Sequence, residues 1–462
     1  MNEAAIAGIV GYVLIQFLIG AWVSRRIVTD QDYILAGRSL GTGLVAFSVF
    51  ATWFGAEAIV ASAGEIYTNG LSGAIGDPFG YGFAVVAVAL LIAAPLWRRG
   101  LTTYADLLRQ RYSPTVEKAF VIVLLPGSLF WAAAQIRSFG QILGSTAGME
   151  VATAIVVAAV LVGAYSVVGG LLADAVTDVV QGLAVIVGLG LLAAFILARL
   201  DGTAGSLDAI GPERLSFRAP AEGGQLAVAE RLAIVVCGSI VSVELISRFL
   251  GASSAAVARN GTLIGGVLYL AVGLLPVYLG LVGPALIKDL AEPEQIVPKL
   301  AEAFLPAYIY PLFIGAQISA ILSVVHAALH APASQLSHNV VSAAAPNLSP
   351  RGRLTSVRLT VLVLSLIALL MACSVDRIKD LVETASAFGS AGAFVVSMFA
   401  LFTRFGGPNS ALASFIAGIG VWACGRYLIG LSTPYLIALA SALITYVLVA
   451  VLERGAVQEL SR

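Results

Sequence analysis

A chain of 462 residues that is 59% hydrophobic and only 11% charged, with a mean hydropathy of +0.96, is not an ordinary soluble globular protein. It reads as a polytopic membrane protein. The 26 basic and 26 acidic residues cancel, which leaves no electrostatic case for nucleic acid, and the three cysteines (Cys237, Cys373, Cys424) lie in apolar segments and suggest no disulfide framework.

At about 20 residues per crossing, thirteen transmembrane helices are expected in one all-α domain spanning residues 1–462. They fall near 4–24, 43–66, 74–97, 116–146, 151–171, 175–198, 228–248, 261–287, 308–342, 357–374, 382–403, 409–428 and 433–452. The first ends in Val-Ser-Arg25-Arg26, without a positive start or a small-residue cleavage site, and reads as a retained helix instead of a signal peptide. With the N-terminus outside, sixteen of the 26 basic residues fall in inner connections and nine outside, Arg137 lying within a span. The positive-inside rule then puts the C-terminus in the cytoplasm of a plasma (inner) membrane protein.

The second segment runs Phe47-Ser-Val-Phe-Ala-Thr-Trp-Phe-Gly-Ala-Glu-Ala-Ile-Val-Ala-Ser-Ala-Gly64. Gly55 weakens the helix where Thr52, Trp53 and Glu57 bring polar groups to membrane depth. A charge there costs about 2.5–3.5 kcal/mol, and a broken helix is tolerated only against protein or a water-filled cavity. Two readings are open: the broken helix of a transporter binding site, or a kinked helix carrying a buried ion pair.

Further along, Tyr104–Tyr112 is expected as an amphipathic inner helix. Arg137, two residues past Gln135, is expected to neutralise a buried acid, with a substrate carboxylate as the other reading. Asp174, Asp178 and Gln181 form an i, i+4, i+7 stripe on the sixth helix, where Asp174 is expected to cap the helix or face cytosolic water. The Leu200–Leu226 connection and the Asp289–Pro306 stretch are expected outside, the second with a short surface helix. Helix seven reads Val-Val-Cys237-Gly-Ser-Ile-Val-Ser-Val-Glu244-Leu-Ile-Ser-Arg248, again with Gly-Ser in mid-span and a glutamate shortly after. Five helices separate the two starts, and an odd number of spans per repeat inverts one unit against the other.

All three histidines fall on the ninth helix. Ser319, Ser323, His326, His330, Ser334 and Ser337 share one of its faces, which must look into the bundle or onto a water path. Helix-gluing hydrogen bonds are the alternative. The i, i+4 spacing of His326 and His330 also suits metal ligation, without a third ligand in view.

The run Tyr165-Ser-Val-Val-Gly-Gly-Leu-Leu-Ala-Asp-Ala-Val-Thr-Asp-Val-Val-Gln181 and the Ala-Gly-Arg38-Ser-Leu lead-in resemble the sodium:solute symporters. Ala-Thr-Trp53, Phe-Gly-Tyr81 and Phe130-Trp131-Ala-Ala-Ala are most similar to their high-affinity choline transporter branch. The resemblance covers nearly the whole chain. It implies two inverted five-helix repeats, 43–198 and 228–403, with helix 4–24 before them and two helices in 409–452 after them. It implies an aromatic cage for a quaternary ammonium from Trp53, Tyr81 and Trp131, through cation–π attraction. Space-filling between helices is the competing reading of these rings. The branch's further tryptophan is replaced by Ser242, and Glu57 and Glu244 stand where it has small uncharged residues. The expected substrate-binding set is therefore Trp53, Glu57, Tyr81, Trp131, Gln135, Ser242 and Glu244, for a small cationic or zwitterionic solute.

The family's sodium ligands map onto the carbonyls of Ala51, Phe54 and Ala320, the hydroxyl of Ser323, and Val324, whose side chain offers no oxygen. A second sodium site maps near Asp178. At His326 the family often has an aspartate, so His326 and His330, paired with Glu57 or Glu244, are expected to bring protons in as a supplement to or replacement for sodium. The expectation is an ion-coupled symporter, not an enzyme, with no cofactor beyond Na+ or H+. Its partners are a small-molecule substrate and membrane lipid, and a monomer suffices. The alternatives are a symporter for amino acids or other carboxylate-bearing solutes, and a transporter-like membrane sensor.

Overall fold

The computed structural model describes residues 3–217, 224–374 and 384–460. Arg218, Arg377, Lys379 and Arg462, which entered the charge count, and the first residues of the 382–403 segment lie outside the described residues.

The described chain is helical, with no strand. Its first sixteen α-helices are α1 Glu3–Ser24, α2 Asp30–Leu35, α3 Thr42–Trp53, α4 Ser62–Asn69, α5 Tyr81–Val88, α6 Ala94–Arg98, α7 Ala105–Arg111, α8 Pro114–Ala147, α9 Val151–Val168, α10 Leu171–Arg199, α11 Gly202–Ile210, α12 Gly224–Val241, α13 Val243–Leu250, α14 Ala255–Leu286, α15 Ile296–Phe304 and α16 Tyr310–Gln335. Helices Pro350–Ser374, Ser390–Phe402, Pro408–Ala423 and Pro434–Leu460 follow. Eleven helical stretches among the described residues are long and apolar enough to cross a membrane, and Leu14–Ser24 and Thr42–Trp53 are shorter apolar helices. The chain is an integral membrane protein.

Local chemistry starts several of these helices. Thr29 caps α2 in a capping box with Asp32, while Ser113 and Ser254 accept from backbone N–H groups in the first turns of α8 and α14. The expected inner helix is α7, and the expected surface helix is α15, although α15 buries Ile296, Val297, Leu300 and Ala301 against the bundle.

Burial separates centre from periphery. The stretch containing α16 is 94% buried and packs on α1, α8 and α10, whereas Pro408–Ile429 and Pro434–Arg454 are each 28% buried and pack mainly on one another. A helix that offers apolar side chains all round and is still enclosed is the centre of the bundle. Two glycines, Gly261 and Gly265, let α14 lie close against α3; a Cβ on either would come within 2.7 Å of α3 atoms.

Both anticipated breaks are present. The first helix stops at Trp53, passes through Phe54 (φ −91, ψ 61) and resumes at Glu57 as a wide turn leading into α4. Gly55 is required there by space as much as by flexibility, since a Cβ would stand 2.6 Å from Val324 Cγ2 on α16. The second breaks at Ser242 (φ −61, ψ 121), three residues beyond the Gly238-Ser239 pair that marked it in sequence. The lead-in to α3 and the end of α13 are tied together by Leu40 N–H to Gly251 O (3.1 Å) and Ser253 N–H to Leu40 O (2.9 Å).

Candidate functional site

The two breaks face one cavity of about 80 Å³, lined by Trp53, Glu57, Tyr81, Ser128, Trp131, Ser242, Glu244, Tyr269 and Ser386 among others. Six of the seven expected substrate residues lie here together. Gln135 is the correction. It is 1% exposed and spends its Oε1 on the Ala56 N–H at 3.1 Å, satisfying a donor that the helix break frees.

The aromatic side chains converge. Trp53 meets Trp131 edge-on at 5.1 Å and Tyr81 at 6.1 Å between ring centroids, and the Trp53 indole N–H is buried without a partner. The Glu57 carboxylate faces the Tyr81 hydroxyl and the Trp131 indole. Glu244 differs. It is 4% exposed, and its two oxygens accept from Ser128 Oγ at 2.5 Å and Ser242 Oγ at 2.7 Å. Ser242 also caps α13 by accepting from Leu245 N–H. Both glutamates line the cavity, but only Glu57 presents its charge among the rings.

Beyond Glu57, Tyr81 and Ser386 the cavity continues into a wide vestibule of about 1090 Å³. The Tyr81 hydroxyl and Ser386 Oγ, 3.2 Å apart, stand between the two spaces. The vestibule wall carries Glu57, Glu65, Asp77, Glu230, Glu292 and Glu294 against Arg231 and Arg426, so its field favours cations. Asp77 and Tyr269, which hydrogen-bond at 2.7 Å, were not anticipated. An acid inside an apolar span, as in Gly76-Asp-Pro, was the available signal.

The expected ion residues separate into two groups. Asp178, fully buried on α10, accepts from Ser48 Oγ of α3 at 2.7 Å and from Ser323 Oγ of α16. Ser48, which no sequence motif marks, lies one turn before Thr52, whose hydroxyl donates to its carbonyl at 2.7 Å. Ala51, Phe54 and Ala320 are buried, and the Val324 side chain fills the space against Gly55.

His326 and His330 belong elsewhere. Their rings stack at 5.2 Å, His330 Nε2 lies 3.0 Å from the Tyr33 carbonyl, and His326 Nε2 lies 3.7 Å from Asp174. The carboxylate beside His326 is therefore Asp174, not Glu57 or Glu244. Asp174 itself corrects the expectation of a cap or a solvent-facing acid: it is fully buried and pairs with Arg248 Nη1 at 2.5 Å, Arg248 being 1% exposed. Arg248, counted in sequence as an inner-loop charge, is thus a buried one. Arg137 donates to the Ala372 carbonyl at 2.9 Å and lines neither space. Among the described residues no group of three or more His, Cys, Asp or Glu is placed to hold a metal ion.

A model of the sodium:solute symporter family matches residues 33–418. The high affinity choline transporter 1 of Homo sapiens is 24% identical over 90% of this chain and 76% of its own length. The high-affinity choline transporter 1 of Drosophila melanogaster is 24% identical over 82% of this chain and 64% of its own, so the chain spans less than two thirds of that relative. The solved structure of a Na+-coupled sialic acid symporter in a substrate-bound outward-open state superposes with a TM-score of 0.86 at 18% identity, over 97% of both chains. At that identity the likeness speaks for the fold alone.

Proposed function

Because the chain belongs to the sodium:solute symporter family, we propose that it imports a small organic cation, such as a choline-like quaternary amine, by sodium-coupled alternating access. The observation that carries this reading is Glu57 set among Trp53, Tyr81 and Trp131 at a helix break, below an acidic vestibule. A desolvated cation is held there by ring faces and one carboxylate at once. The choline transporters among its relatives support the same class. A carboxylate-bearing solute fits less well, since no Lys, Arg or His is among the described residues lining the inner cavity.

Thirteen crossings, two of them broken and related by inversion, are the matching architecture, with the N-terminus outside. In that topology the vestibule lies between outer connections, and the conformation is outward-facing. Sodium finds oxygens at the Asp178–Ser48–Ser323 junction, next to the break carbonyls of Ala51 and Phe54. Proton coupling through His326 and His330 is less favoured, because neither lines the cavity or the vestibule.

Proteoliposome uptake of radiolabelled choline, driven separately by a sodium gradient at symmetric pH and by a pH gradient without sodium, tests both parts. Accumulation with sodium alone, lost in Asp178→Asn, is expected. Accumulation driven only by pH would replace sodium with protons, and anion or sugar uptake in preference to amines would overturn the substrate class.

A further inference from the structure

Asp77 is an acid with half of its carboxylate unused. It is 6% exposed. Its Oδ1 accepts from the Tyr269 hydroxyl at 2.7 Å, whereas its Oδ2 is buried without a hydrogen-bond partner. Burying a carboxylate oxygen unpaired is costly, so its persistence on the wall of a solute pathway points to a ligand that completes it. Asp77 lies on the vestibule wall together with Glu57, while Tyr269, its anchor, lines the inner cavity. The pathway therefore has two anionic stations: Glu57 among the rings, and Asp77 on the vestibule side. The neighbouring cation, Arg231, is 44% exposed and bridges Glu65 at 3.5 Å. Its Nε comes 2.9 Å from where a Cβ on Gly76 would stand, beside Asp77.

We propose that the site selects a solute with two cationic nitrogens, a short diamine or an amine bearing a guanidinium, one centre held by Glu57 and the aromatic rings and the other by Asp77 Oδ2. This rests on the cation reading above and narrows it. A single-charge cation would fill the first station and leave Asp77 uncompensated; a diamine satisfies both, at a chain length set by their separation.

The test uses purified full-length protein in detergent with sodium present, and calorimetric binding of matched pairs. These are butylamine against 1,4-diaminobutane and pentylamine against 1,5-diaminopentane, with choline as the single-charge reference. The expected result is at least one diamine binding about tenfold more tightly than its monoamine partner. Asp77→Asn, shown folded by its thermal melt, should bring that ratio to about one. Arg231→Gln should raise diamine affinity several-fold and provides an independent arm. Equal affinities within each pair, or an Arg231→Gln variant with unchanged diamine binding, overturn the two-charge inference. If choline still binds in a Trp53-dependent manner in that case, the cation reading survives; if no amine binds at all, both fall.

Discussion

Glu57 and Glu244 share one cavity yet are chemically unlike. Two serine hydroxyls already satisfy Glu244, so it acts mainly to hold α13 to α8 through Ser128 and Ser242. Glu57 faces ring donors and the vestibule. Trp53→Ala should remove a desolvated cation–π contact of about 2 kcal/mol, on the order of thirtyfold in the dissociation constant of a quaternary amine. Glu57→Gln should weaken binding further, and Glu244→Gln less than either while lowering thermal stability. Equilibrium binding and melting curves on the three variants check this order. A Glu244→Gln variant that loses binding while Glu57→Gln keeps it would reverse the assignment.

The break in the second span depends on two helices meeting. Gly55 stands where α16 comes closest, and Val324 fills the contact. Gly55→Ala forces a Cβ to within 2.6 Å of Val324 Cγ2 and should destabilise by about 1–3 kcal/mol. Val324→Ala in the same chain should restore part of that loss, because it removes the atoms in collision. Thermal unfolding of the two single variants and the double variant reads this coupling directly. Val324→Ser tests function at the same contact: a hydroxyl near the carbonyls of Ala51 and Phe54 should lower the sodium concentration needed for half-maximal uptake.

Across the whole molecule, the vestibule opens on the side of the Gly64–Asp77 region and the 292–294 turn. Away from it, buried polar contacts tie the helices to one another. Arg248 of α13 pairs with Asp174 of α10, and Asn339 donates to Asp106 and Glu117 at 2.7 Å each. Removing Arg248 alone leaves Asp174 buried without its cation, a loss of about 3–5 kcal/mol. Arg248→Met should therefore lower the melting temperature sharply, and Arg248→Met with Asp174→Leu should recover most of it. A double variant no more stable than the single would show that the pair is not acting as a unit.

The sequence by itself determined the membrane-protein class, the all-helical character and the first break. Long apolar runs have no other stable home, and a glycine beside a glutamate inside one of them is a strong local signal. The family resemblance singled out Trp53, Tyr81 and Trp131, and six of the seven expected substrate residues do meet at one cavity. Tertiary structure alone decided how each polar group is used. Gln135 and Glu244 have the same chemistry as substrate ligands, but the packing of α8 against the breaks commits them to Ala56 N–H and to two serines. Arg248 reads as a loop charge until α10 brings Asp174 to it, and Asp77 reads as a lone acid until Tyr269 takes one of its oxygens and leaves the other unpaired. The physical reason is that a residue's type fixes which bonds it can make. The partner that reaches it first comes from residues far away in the chain, and only the packed helices bring that partner within reach.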